Sequence, residues 1–177
     1  MSLIVLGVGA LVLAYCARYF REHEPRNAVF GGQLLAFAGA MFGLVTTDDL
    51  MVLYTFWEIT SVLSFLLIGY SGHRIFARRS AITALIVTTF GGLAMLAGLI
   101  MLAHFAGSWR ISGVLEAAPA LMADAGLRGL LEVAVALVLI GALTKSAQAP
   151  FHFWLPGAMA APTPVSAYLH AAAMVKA

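Results

Sequence analysis

Six apolar runs separated by short polar loops restrict this chain to one kind of fold. They cover residues 3–19, 28–45, 50–70, 81–105, 130–149 and 162–177. Crossing a ~30 Å hydrocarbon core takes about 20 apolar residues in a helix. Inside lipid, only helices and closed barrels satisfy every backbone polar group. Runs of this length read as membrane-spanning helices. The chain is 62% hydrophobic and only 10% charged, where a soluble domain carries about 25%. The expectation is an all-α, polytopic membrane helical bundle forming a single transmembrane domain in the lipid bilayer.

The arginines orient it. Arg18, Arg21, Arg26, Arg74, Arg78 and Arg79 fall in loops on one side, and Arg110 and Arg128 on the other, beside Asp48, Asp49, Glu116 and Asp124. The side richer in arginine is the cytoplasmic one, which places the N-terminus outside. The first run has no basic residues ahead of it and reads as a retained span rather than a signal peptide. Residues 107–129 are the only long non-spanning stretch, and LEAAPALMADAG within it predicts a short interfacial helix. The fourth run is rich in Gly, Ala and Thr, which lets neighbouring helices approach closely. It belongs inside the bundle.

Several chemistries are excluded at once. A net charge of +2 with dispersed basic residues gives no surface for nucleic acid. The one cysteine, Cys16, rules out a disulfide framework. The five histidines stand singly, so no metal-ligand spacing exists. No nucleophile–base pair, phosphate loop or cofactor motif is present, so neither an enzyme nor a cofactor is expected.

The ionisable residues inside the runs remain. Such groups are costly in a membrane, face protein or water, and mark ion and proton pathways. Glu58, in YTFWEITSVLSFLL, lies eight residues past Leu50, about 12 Å deep at 1.5 Å per residue. Lys145 lies in the fifth run, where hydrocarbon should surround it. Desolvation disfavours an ammonium and a nearby carboxylate favours it. A Glu58–Lys145 pair that forms and separates could therefore make the lysine hold and release a proton. The fifth span is expected to break over residues 150–161, at Pro150 and Pro156, and to restart near Pro162. The last run carries His170, which can relay a proton through its two ring nitrogens, and Lys176. His152, in PFHFWLP, is an accessory candidate at the break. Asp48 and Asp49 could draw cations at the outer rim, although a solvated turn is the stronger reading. Glu132 reads as snorkelling at an outer mouth. Trp57, Trp154, Tyr54 and Tyr70 read as interfacial or packing residues.

Three stretches carry a resemblance. FWEITSVLSFLLIGY, TKSAQAPFHFWLP and APTPVSAYLHAAAMVKA are similar to the antiporter-like membrane subunits shared by Mrp cation/proton antiporters and respiratory complex I. FHFWLP and SAYLH with MVKA favour the Mrp A-type subunit. The resemblance implies two inverted five-helix repeats with discontinuous helices, of which this chain would hold most of one. It implies that Glu58 is the key glutamate of the family's fifth helix, Lys145 the lysine of its broken seventh, and His170 and Lys176 relay positions of its eighth. Ala160 stands where A-type members often have an acidic residue. The family's first two helices and everything after the eighth have no counterpart here, so the chain reads as a fragment. The function implied is part of a multi-subunit Na⁺/H⁺ antiporter in the bacterial plasma membrane, with Na⁺, H⁺ and other Mrp-like membrane subunits as partners. The alternatives are a proton-pumping subunit of a complex I-like NADH:quinone oxidoreductase and a scaffold subunit that transports nothing.

Overall fold

The computed structural model of the chain describes residues 2–19, 27–71, 75–159 and 163–168. Among them are α1 (Ser2–Tyr19), α2 (Asn27–Thr46), α3 (Leu50–Ile68), α4 (Ile75–Ala106), α5 (Ile111–Ala123), α6 (Arg128–Lys145), α7 (Leu155–Ala158) and α8 (Thr163–Tyr168). Two 3₁₀ turns, Gly69–Ser71 and Phe151–Trp154, complete the regular structure, and the described residues contain no strand. Three helical segments, Ala28–Thr46, Leu50–Ile68 and Ile75–Ala106, are long and apolar enough to cross a membrane. The fold is an all-α membrane bundle.

Helix α4 is its axis and makes its most extensive contacts with α6 and α3. The reason is the lack of side chains at chosen positions. A Cβ on Gly98 would fall 2.5 Å from the Ala134 carbonyl, and one on Gly141 would fall 2.5 Å from Met95 Cβ. Backbone therefore lies against backbone, which is how membrane helices gain dispersion energy without a hydrophobic driving force. At its start α4 extends six residues further than the apolar run. Arg78 and Arg79, expected in a loop, are exposed on its first turns. Arginine is a good helix former, and IFARRS contains no Gly or Pro to stop propagation.

On the far side, α1 and α2 receive α8. Tyr168 is fully buried, donates its hydroxyl to the Val5 carbonyl at 3.2 Å and meets Phe37 edge-on at 5.5 Å. Gly9 opens the space beside its phenol.

The fifth span ends earlier than the apolar run does. Helix α6 stops at Lys145, not near residue 149, and the break begins at Ser146. Ala147 takes a left-handed conformation (φ 51°), its N–H donates to the Thr144 carbonyl, and the Gln148 N–H reaches back to Leu143 at 3.0 Å. This is a Schellman ending. It is formed on alanine where glycine would carry no Cβ penalty, so no local residue type announces the stop. Pro156, expected to be a breaker, sits in the first turn of α7. Proline is tolerated there because its absent N–H would have no partner anyway.

Candidate functional site

Lys145 is the last helical residue of α6 and only 6% exposed. Three features hold it there. The Schellman turn closes the helix just beyond it. The Trp154 indole donates to the Thr144 carbonyl at 3.0 Å, adding a second donor to the carbonyl that already accepts from the Ala147 N–H of the turn. The fully buried Thr144 projects into the space above Gly91, where a Cβ would collide with its hydroxyl.

From that anchor the lysine reaches α3. Its Nζ donates to the Trp57 carbonyl at 2.8 Å, to Thr60 Oγ1 and to Ser61 Oγ at 3.1 Å. It also lies 4.4 Å from the centroid of the Trp57 ring. An ammonium has three donors, and all three are used. Each hydrogen bond to a charged group contributes roughly 1.5–3 kcal/mol, and a desolvated cation–π contact about 2 kcal/mol. Together these are of the same order as the several kcal/mol that burying one ion costs. Position at a helix C-terminus favours the cation further. Thr60 and Ser61 also donate to the Trp57 carbonyl, at 2.7 and 3.1 Å. Hydroxyls can donate or accept, so the seat suits the amine with or without its extra proton.

Glu58 is on the same helix, one residue past Trp57. Its side chain is half-buried against α4, where Gly92 makes room: a Cβ there would collide with Glu58 Oε1. That oxygen is buried and has no hydrogen-bond partner among the described residues. Glu58 and Lys145 interact electrostatically. They do not form an ion pair. The ion pairs among the described residues are Arg110–Asp48 and Arg128–Glu132. The expected partners thus lie in one neighbourhood, separated, with the lysine on neutral oxygens.

The acidic turn is a clasp. Asp49 caps α3, accepting from the amides of Met51 (2.9 Å) and Val52 (3.0 Å). Asp48 accepts from Ser112 N (2.9 Å), Ser112 Oγ (2.7 Å) and Arg110 Nε (3.0 Å). The Ser112 hydrogen bonds, then Arg110, hold the Asp48 carboxyl below its ordinary range. Asp48 thus fastens the start of α5 to the α2–α3 turn, while its side chain stays 42% exposed at the rim. His152 is exposed on the 3₁₀ turn Phe151–Trp154 and joins no cluster with Lys145 among the described contacts. His170 and Lys176 lie outside the described residues.

Thr60, Ser61 and the Trp57 carbonyl are site groups that the sequence pattern did not single out. A signal was there: residues three and four past Trp57 share its helix face, and both are hydroxyls at mid-span. Trp154, expected at an interface or in packing, is buried and caps α6.

A membrane bundle with a discontinuous helix and an ionisable residue buried at the discontinuity defines the class. Residues 47–177 match the family described as NADH:quinone oxidoreductase/Mrp antiporter, transmembrane, and the chain belongs to that family. It is 51% identical over 176 residues to a probable K⁺/H⁺ antiporter A/B-type subunit of Rhizobium meliloti, covering 99% of this chain and 17% of that protein. It is 47% identical over 176 residues to the A-type subunit of a Na⁺/H⁺ antiporter of Alkalihalophilus pseudofirmus, covering 99% of this chain and 21% of that one. Among solved structures, a chain of the Mrp complex from a Dietzia species superposes with a TM-score of 0.89 at 42% identity, over 99% of this chain and 19% of that chain. The chain thus spans about a fifth of the length of these relatives.

Proposed function

We propose that the chain is the proton-conducting part of a subunit of a monovalent cation/proton antiporter, assembled with other membrane subunits in the bacterial plasma membrane. The cation is Na⁺ or K⁺, the ions named for the two relatives. Protons pass along Glu58, Lys145, His170 and Lys176, with water between them. The observation that carries this reading is Lys145 itself. It is buried and held by three neutral α3 oxygens while the Glu58 carboxylate stands nearby without a hydrogen-bond partner among the described residues. Two seats for one ammonium follow: the observed one on α3, and a second against Glu58. Moving between them changes which protonation state of the lysine is favoured, since a carboxylate in contact stabilises the cation far more than hydroxyls do.

The test uses the complete antiporter complex in everted membrane vesicles. Glu58→Ala and Lys145→Ala are each expected to abolish cation-driven proton movement, followed with a pH-sensitive dye, while the complex still assembles. Wild-type flux in both variants would make the pair structural. A reduced yield of complex with normal flux per complex would favour the scaffold role.

A further inference from the structure

Trp57 faces the Lys145 ammonium with one part of its ring and lies beside the Gly92 notch that holds Glu58 with another. Its face lies under the Lys145 ammonium, 4.4 Å from centroid to Nζ. Its Nε1 is buried and has no hydrogen-bond partner among the described residues, and the residue as a whole is only 6% exposed. That nitrogen points to the notch at Gly92, 3.7 Å from where a Cβ would sit. Glu58 Oε1, another buried polar atom without a partner among the described residues, occupies the same notch. A donor and an acceptor, both desolvated, therefore face one small space that exists because residue 92 lacks a side chain.

Buried polar groups are almost always satisfied by protein or by ordered water. Indole N–H can only donate, and a carboxylate can only accept. The two atoms do not meet directly, and one water molecule has both capacities. We propose that Trp57 is a positioning residue set between Lys145 and Glu58. Its face seats the ammonium, and its N–H, through one bound water, holds Glu58 Oε1 against Gly92. The indole is then the partition that keeps the pair apart and fixes how far the lysine travels. Any residue at position 57 would supply the carbonyl that Lys145 uses. The ring face and the N–H need tryptophan.

This inference rests on the proton-path reading above, and the experiment separates the two. Trp57→Phe and Trp57→Leu are made in the complete complex beside Glu58→Ala and Lys145→Ala, and flux is normalised to assembled complex. Phenylalanine keeps a weaker face and loses the N–H; leucine loses both. Exchange is expected to fall about 10-fold in Trp57→Phe and about 30-fold or more in Trp57→Leu. A second readout is independent of rate: the Glu58 carboxyl stretch in difference infrared spectra, assigned with Glu58→Gln, shifts in Trp57→Phe because its hydrogen-bond partner has gone. If both Trp57 variants exchange within about twofold of wild type and the stretch does not move, while the Glu58 and Lys145 variants are dead, Trp57 is packing and the inference falls. Equal losses in Phe and Leu overturn the seating by the ring face. Flux surviving in Glu58→Ala and Lys145→Ala brings down the proton path, whatever Trp57 does.

Discussion

Lys145 and Asp48 are both charged residues held by three hydrogen bonds from another segment of the chain, and they do opposite things. Asp48 is at the rim, its side chain 42% exposed, with a true counter-charge in Arg110 at 3.0 Å. Its hydrogen bonds tie two turns of the same end of the bundle together, and water can replace any of them. Lys145 is in the interior. Its partners are a carbonyl and two hydroxyls, and the Glu58 carboxylate in its neighbourhood is not bonded to it. A fully paired surface charge has one good arrangement. A buried charge on neutral oxygens beside an unused counter-charge has two. On the proposed proton path, what would separate a structural charge from a transport charge is therefore not the number of its contacts but whether an alternative partner is kept within reach.

The comparison breaks most severely at the glycines that build the inner seat. Gly91→Val is expected to remove most of the assembled protein, with a loss of roughly 3 kcal/mol or more, because the new methyl groups meet the fully buried Thr144 rather than a flexible side-chain end. Yield and thermal stability of the purified complex measure it. Normal stability would mean that α4 and α6 can separate without loss, and that the anchoring of Lys145 described above is wrong.

The rim clasp should respond less and in a pH-dependent way. The Asp48 carboxyl is held below its ordinary 3.8 by Ser112 and Arg110. A carboxyl depressed by folding stabilises the fold above its unfolded value and loses that contribution as pH falls toward its folded value. The α5 attachment should loosen as pH drops below about 4. In Asp48→Ala it should be loose throughout. Hydrogen exchange at the Ser112 amide, corrected for its intrinsic rate, should be about tenfold faster in the variant at neutral pH and insensitive to acid. Unchanged exchange would assign the clasp to the backbone bonds Leu50 N to Trp109 O and Ile111 N to Asp48 O alone.

Much of the inner site is legible in the amino-acid order, because membrane burial makes it so. Glu58 and Lys145 stand out against apolar neighbours, and the small residues of α4 mark a helix meant for close contact. Other parts carry no local sign. Helix α6 ends on Ala147 in a left-handed conformation, so the stop at Lys145 is hidden and Pro150 looks like the terminator. Thr60 and Ser61 bond their own helix carbonyl, as mid-helix hydroxyls ordinarily do. Only the fold brings Lys145, 84 and more positions away, onto the same oxygens. The bonds from Asp48 to Arg110 and Ser112, 62 and 64 positions apart, are equally silent.

The smallest effect is expected at the other rim pair. Arg128 and Glu132 are one helical turn apart at the start of α6, 3.4 Å between Nε and Oε1, and both side chains are 72% exposed. Ion pairs of this kind contribute about 0.3–0.5 kcal/mol and are screened by salt. A pair so exposed fits a glutamate that snorkels to water at the mouth of this span. Glu132→Gln should therefore leave thermal stability within about 0.5 kcal/mol of wild type, with the difference vanishing in high salt, and should leave cation-driven proton movement unchanged. A large loss of flux with intact stability would place a transport charge at the rim. The contrast between Asp48 and Lys145 would then have to be redrawn around a second entrance rather than a single interior seat.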